Sequence, residues 1–279
     1  MTHILVTNDD GVSSPGLLAL KQALEPVGRV SVIAPDSNRS ATARSITTRS
    51  PLWAREVEFG EGATGFATDG TPVDCVRFAE LGLLEERPEL IVSGINHGSN
   101  LGDDITYSGT VAAALEGIVL GIPAVAVSQQ AANVGMGWFG REFDFEVGAR
   151  FTAELVRALG AEPMPPDTLI NINCPSEAAS EVEVTHLGKR LYNDELRLVE
   201  EEPEGGRRYE IYGFEPSFED EDGSDLSAVA QGRISVTPVH FDLTDRAGME
   251  SLRGRELGEM LVRARAGTSS SAGEAPSGR

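Results

Sequence analysis

Lysine is almost missing from this chain: only Lys21 and Lys189 occur, and every other basic residue is arginine. Basic residues of both kinds number 23 against 44 acidic ones, a formal charge of -21. A surface of that sign repels polyanions, so neither a nucleic-acid polymer nor an anionic membrane is an expected partner. The acids are spread along the sequence instead of being gathered in one tail. That distribution points to a salt-rich cytoplasm, where screening removes self-repulsion and hydrated carboxylates keep the protein in solution. Cysteine is equally scarce. Cys75 and Cys174 lie far apart with no CxxC or CxxH spacing. A disulfide framework and a zinc site are therefore not expected, the simplest compartment is a reducing cytoplasm, and both thiols read as small core hydrophobes. Long apolar runs are absent too. Nothing approaches the roughly 18 uninterrupted apolar residues of a membrane span. The first apolar run is too short for a secretory signal and meets acids at once.

What the chain does have is 279 residues, 40% of them hydrophobic, enough for one large domain or a core with an extension. Short apolar segments at 3–7, 29–34, 89–93, 124–128 and 168–173 read as strands, and 15–24, 110–120 and 143–159 carry helical periodicity. Strands that are nearly all apolar and alternate with helices predict an α/β fold, a mostly parallel sheet covered on both faces. Residues 45–68 look like short strands with a turn around Gly60 and Gly62. Residues 181–213 look like a long β-hairpin arm with a polar tip at 200–208. Standing alone, such an arm would expose Tyr209, Ile211, Tyr212 and the adjoining Phe214. A strand at 233–239 and a helix at 248–265 close the fold, followed by a small, polar tail that reads as disordered.

In such sheets ligands sit beyond the carboxyl ends of the strands. Asp9 and Asp10 follow the first strand, Ser40 the second and Asn96 the third. Two adjacent carboxylates repel each other at a buried strand end, and a divalent cation would turn that repulsion into attraction. Ordinary turn chemistry is the alternative, with one aspartate capping the helix near Pro15 and the other solvated. The stretch SGINHGSNLGDDITYSGTVAAALEG, 93–117, is rich in glycine, asparagine and hydroxyls and runs into a helix near Ser108-Gly109-Thr110. Free N–H groups at a helix start suit a phosphate. There is no GxxxxGK[ST] and no GxGxxG after the first strand, which argues against a P-loop NTPase or a dinucleotide site. His97 is either an acid catalyst or a bystander.

The segments ILVTNDDGVSSPGL, APDSNRSA, TDGTPVDCV, the 93–117 stretch, GIPAVAVS, ININCP and GSDLSAVAQGRISVTP together resemble the SurE family of stationary-phase survival proteins. The resemblance implies a Rossmann-like core and a divalent-metal 5'/3'-nucleotidase acting on nucleoside monophosphates. It also implies a C-terminal arm exchanged within a homodimer or homotetramer. Carried over by motif, the metal ligands are Asp9, Asp10, Ser40 and Asn96. An oxygen shell of that kind suits one magnesium, manganese or calcium ion per subunit. Asp9 or Asp10 then orients or deprotonates the attacking water, and Asn100, Ser108, Gly109 and Thr110 hold phosphate oxygens. Ala41-Thr42 and the acidic surface depart from the family pattern. With this resemblance 1–178 is the catalytic core, 179–240 a β-rich oligomerisation arm, 241–266 a C-terminal helix packing back and 267–279 a disordered tail. Two rival functions are a phosphoaspartyl-type phosphatase, although such enzymes use DxD spacing, and a non-catalytic nucleotide sensor.

Overall fold

The first strand, β1 (His3–Thr7), is buried at every position. A strand can be apolar throughout only when both faces of its sheet are covered, and the packing shows how. Ile4 and Val6 join one core cluster and Leu5 the other. The same parity holds in β2 (Arg29–Pro35), where Val32 and Ala34 face one way and Ile33 the other. The side-chain period of two distributes each strand between two cores.

The computed structural model describes residues 2–132, 143–177, 179, 181–202, 204–211 and 217–268. After β1 and α1 (Pro15–Leu24) come β2, β3 (Ala54–Phe59), β4 (Ala63–Thr68), α2 (Pro72–Glu80) and β5 (Leu90–His97). A 3-10 turn (Gly102–Thr106), α3 (Gly109–Val119), β6 (Ala124–Gln129), α4 (Glu146–Ala161) and β7 (Thr168–Cys174) complete the alternation. Beyond it lie β8 (Val182–Val184), β9 (Arg190–Leu191), β10 (Arg197–Glu201), β11 (Arg207–Glu210), β12 (Ser217–Phe218), α5 (Asp225–Ala230) and β13 (Ile234–His240). Nine strands form one sheet in the order β3-β4-β2-β1-β5-β6-β7-β13-β8. The run from β4 to β7 is parallel, whereas β3 and β13 pair antiparallel with their neighbours β4 and β7. Leu17, Leu20 and Leu24 of α1 and Ala149, Ala153 and Val156 of α4 cover one face. Cys75 and Val76 of α2 and Val111, Ala113 and Ala114 of α3 cover the other. The expected mostly parallel α/β sheet with helices on both faces is what forms.

Several elements differ from the sequence expectation. Helix α2 is an addition to it, although Thr71 and Asp74 form a reciprocal capping box with Pro72 at its start. Strand β5 does not stop at Ser93. It continues to His97 through a register shift, so that Asn96 pairs with Ser128 and His97 with Gln129. Helix α4 starts at Glu146, because Phe143 and Phe145 are engaged in a ring stack before it. Residues 182–184 are not part of a hairpin, since β8 adds to the edge of the main sheet beside β13. The outer pieces are two small antiparallel pairs, β9 with β12 and β10 with β11.

The described residues from 242 to 268 form a second compact unit, after a first that runs to 241. The single helix expected there is two, α6 (Arg246–Arg253) and α7 (Leu257–Thr268), separated at Gly254, which ends α6. Residues 269–279, most of the expected disordered tail, lie outside the described residues. Among the described residues no helix is long and apolar enough to cross a membrane.

Candidate active site at the carboxyl ends of the strands

The chain leaves β1 through Asn8, whose side chain closes a tight turn by exchanging hydrogen bonds with the Gly11 N–H and carbonyl (3.2 and 3.1 Å). Gly11 has φ +103°, a conformation that L side chains rarely adopt, so glycine is required for the turn. That turn presents Asp9 and Asp10 at the sheet edge. Both carboxylates are nonetheless withdrawn from solvent: Asp9 is 3% exposed, and so is the Asp10 side chain.

Asp9 points at the start of α3. The Thr110 hydroxyl donates to Asp9 Oδ1, and a Cβ placed on Gly109 would fall 2.7 Å from Asp9 Cβ. Only glycine lets the helix come this close. Burial, followed by the charge of Asp10, pushes the Asp9 carboxyl up to about 6, against the hydrogen bonds from Thr110. Asp10 turns the other way. Its Oδ2 accepts the His97 N–H at 3.1 Å, and Asn38 Nδ2 approaches Oδ1 at 3.4 Å. Burial raises its pKa to about 6 as well. Among the described residues no lysine or arginine forms an ion pair with either carboxylate. Among the described residues the basic group paired with this site is His97, with Nδ1 3.8 Å from Asp10 Oδ1. Burial lowers the His97 pKa, opposed by the charge of Asp9.

The loop after β2 lies against this pair. The Arg39 N–H donates to the Asp9 carbonyl at 2.7 Å, and the next residue, Ser40, is tied through its own N–H to Asn38 Oδ1 at 2.8 Å. Asn96 stands in β5 one residue before the N–H that binds Asp10, and its Nδ2 donates to the Gly98 carbonyl at 2.8 Å. The segments bearing Asp9, Asp10, Ser40 and Asn96 therefore meet at one end of the sheet. The donor set is two carboxylates with hydroxyl and amide oxygens, and no group of three His, Cys, Asp or Glu side chains is placed to hold a metal among the described residues. Two buried, adjacent carboxylates without a lysine or arginine partner fit a hard divalent cation, and hydroxyl and amide oxygens fit its remaining positions.

The residues expected at the phosphate are placed differently from one another. Ser108 caps α3 by accepting the Val111 N–H at 3.1 Å, and Thr110 is fully buried with its hydroxyl on Asp9. Asn100 sits in an amide network beyond β6 and β7. Its N–H donates to Asn173 Oδ1 (2.7 Å), its Nδ2 to Ser128 Oγ (2.7 Å), and its carbonyl accepts from Asn171 and Asn173 (both 2.9 Å). In the sequence Ser128, Asn171 and Asn173 read only as strand residues. A signal was available: amides alternating in a fully buried strand need polar partners on one face. Asp225 is a further addition. It is fully buried and accepts the N–H groups of Gly102, Gly188 and Leu226, each at 2.8 Å, fixing the turn that leads into α3.

A cavity of about 580 Å³ opens at the opposite, amino-terminal edge of the strands, walled by Leu90, Ile122, Val125, Leu159 and Met164. None of the residues above lines it. The buried carboxylate pair is at the opposite end of the strands.

Residues 4–194 match the family model described as survival protein SurE. The chain is 50% identical over 267 residues to the 5'-nucleotidase SurE of Rubrobacter xylanophilus, a match covering 94% of this chain and 100% of that protein. It is 45% identical over 258 residues to the 5'-nucleotidase SurE of Geobacter sulfurreducens, covering 91% and 94%. Among solved structures, the SurE protein from Aquifex aeolicus matches with a TM-score of 0.73 at 39% identity, covering 90% of this chain and 98% of that one.

Proposed function

The chain belongs to the SurE family, and on that premise we propose that its strand-end cluster is the active site of a 5'-nucleotidase. The reaction is hydrolysis of a phosphomonoester: a water oxygen bonds to phosphorus, the P–O bond to the nucleoside breaks, and inorganic phosphate and nucleoside leave. We include 3'-monophosphates among the substrates. The observation that carries the reading is the pair Asp9 and Asp10, buried side by side with no lysine or arginine to neutralise them among the described residues.

Asp9, Asp10, Ser40 and Asn96 would hold one magnesium, manganese or calcium ion, which supplies charge neutralisation and Lewis-acid polarisation at the phosphoryl group. The chain's own residues position the rest. Asp9 or Asp10 orients the attacking water and accepts its proton. The Ser108 hydroxyl and the Gly109 N–H, at the positive end of α3, bind phosphate oxygens, with Asn100 holding the loop that carries them. Thr110, which bonds Asp9, fixes that carboxylate and contributes to the phosphate site through its place in the first helical turn. In-line phosphoryl transfer needs mainly such positioning. The test is phosphate release from a panel of nucleoside 5'- and 3'-monophosphates. Release with no trappable phosphoaspartate supports the reading. A trapped phosphoaspartate would favour the phosphoaspartyl route, and binding without release would favour a sensor.

Gly109→Ala tests the geometry without touching a charge. Its new Cβ would lie 2.8 Å from Asp9 Oδ2, so the carboxylate must move. Because the buried Asp9 Cβ, 2.7 Å away, must shift as well, the expected result is a lower melting temperature together with turnover of the folded protein reduced by at least tenfold, about 1.4 kcal/mol. Near-normal kcat would mean that the approach of α3 to Asp9 does not matter.

We further propose a cytoplasmic, salt-rich setting and assembly through the arm. With 44 acids against 23 basic residues, self-repulsion is largest in dilute buffer. Melting temperature and activity are expected to rise from dilute to molar KCl, and a flat or falling curve would reject the high-salt setting. Strands β10 and β11 are exposed along their whole length, with Leu198, Val199, Tyr209 and the adjoining Ile211 bare. Tyr212 and Phe214, expected in the same arm, lie outside the described residues. A two-stranded ribbon of this size is marginal alone, and a second copy of the chain would cover it in a homodimer or homotetramer. Excision of 195–210 with a short turn in its place should give a monomer by light scattering. Retention of the parent mass would put the contact elsewhere.

A further inference from the structure

Glu116 is a buried charge with no part in the chemistry of the strand ends. It stands on α3 with its side chain 2% exposed, and one guanidinium reaches each of its oxygens. Arg44 donates to Oε2, and Arg77, from α2, pairs with Oε1. Burying a carboxylate costs desolvation that even a good ion pair barely repays, so the triad is poorly explained as a source of stability. Its position explains more. Gly109 and Glu116 are two helical turns apart and so share one face of α3. Gly109 is where that face meets Asp9, and Glu116 is where it meets the loop that carries Ser40.

That loop is held at both ends. At its start the Arg39 N–H donates to the Asp9 carbonyl at 2.7 Å. At its end the Ala43 N–H donates to the Tyr107 carbonyl at 3.2 Å, and Arg44 closes on Glu116. The Arg44 guanidinium also lies over the Phe241 ring, 4.8 Å from its centroid. Beyond Arg44 the chain leaves α3 for α2, where the Thr71 hydroxyl donates to the Ser45 carbonyl at 2.8 Å. Between the two ends Ala41 and Ala43 have φ +58° and +50°, left-handed conformations that alanine adopts only at a cost. A loop of that shape persists where its surroundings enforce it. Among the described residues, Arg44 on Glu116 is the only side-chain ion pair or hydrogen bond from residues 40–44 to another element. We infer that Arg44 and Glu116 are positioning residues, a latch on α3 that keeps the loop, and Ser40 within it, in place for the divalent cation. The inference rests on the reading of Ser40 as a ligand to that ion.

The test is Mn²⁺ affinity of the full chain, read from the free-ion EPR signal during titration. The proteins are wild type, Arg44→Met, Arg77→Met, Ser40→Ala and the double variant Ser40→Ala with Arg44→Met, and melting temperatures serve as the control for folding. Arg44→Met and Arg77→Met each leave Glu116 one arginine, so both burden stability, but only the first frees the loop. Arg44→Met is expected to weaken Mn²⁺ binding about tenfold, and Arg77→Met by no more than about twofold. With Ser40 already alanine, the Arg44→Met loss should shrink to about twofold or less, because residues that act through one contact are not additive. Affinity within twofold of wild type in Arg44→Met, while Ser40→Ala weakens binding, would overturn the latch and leave the ligand reading standing. Equal losses in the two arginine variants, or an Arg44→Met loss that persists undiminished beside Ser40→Ala, would overturn the latch as well. Wild-type affinity in Ser40→Ala would overturn the assignment of Ser40, and the latch with it. Should Arg44→Met fail to fold, Arg44→Gln takes its place under the same limits.

Discussion

Asp9→Asn and Asp10→Asn should each lower kcat for nucleoside monophosphate hydrolysis by about 10³-fold or more, because several kcal/mol of transition-state stabilisation depend on the ion we propose these carboxylates hold. The substitution is nearly isosteric, and in Asp9→Asn the new amide carbonyl can still accept the Thr110 hydroxyl. Stability should not fall with activity. In the absence of metal the two carboxylates are buried together, and burial with mutual repulsion already pushes Asp9 up to about 6. Removing one of the charges relieves that cost, so the metal-free variants are expected to melt no lower than the metal-free parent. The parent alone should gain stability when Mg²⁺ or Mn²⁺ is added. Variants with near-normal turnover that is still lost on chelation would place the ion on other residues.

A large loss of stability is expected far along the chain, at Asp225. Asp225→Ala leaves the N–H groups of Gly102 and Gly188 without the acceptor they have at 2.8 Å, in a position with no solvent access. Each unsatisfied buried donor costs about 1–3 kcal/mol, so a loss on the order of 3 kcal/mol is expected in denaturant unfolding. Gly102 opens the 3-10 turn that feeds Ser108 and α3, and the same turn is held from the other side by Arg190 and Tyr192 on Asp104 at 2.8 and 2.6 Å. Loosening it should raise KM for the nucleotide more than it lowers Mn²⁺ affinity, since Asp9 and Asp10 belong to a different turn. Asp225→Asn, which keeps one acceptor oxygen, should lie between. An unchanged midpoint in Asp225→Ala would show that these bonds are replaced by water at no cost.

Much of this arrangement is legible in the residues, for local reasons. Five apolar segments separated by helical periodicity specify a parallel sheet, and a polar residue soon after each strand places it at the carboxyl edge. Asp9, Asp10, Ser40 and Asn96 can be gathered on that ground from the sequence alone. What escapes it is mostly set by distant partners. Strand β8 is three residues long and exists because Ile234 to Val236, much later in the chain, offers a free edge. Strand β5 outlasts its apolar run because Asn96 and His97 pair with the end of β6. The Asn171 and Asn173 amides look like interruptions of a strand until Asn100 folds back onto them. Helix α2 is different: Thr71, Pro72 and Asp74 spell a helix start, and that signal is local.

Whether an ion held by these carboxylates carries the chemistry is decided by phosphate release from AMP. The protein is stripped with EDTA and then titrated with Mg²⁺, Mn²⁺ or Ca²⁺, with bound ion counted per chain. Release is expected to stop on stripping and to return with at least one of these ions at about one equivalent per chain. Release that continues undiminished in the stripped protein, with no ion bound, would be incompatible with a metal centre at Asp9 and Asp10.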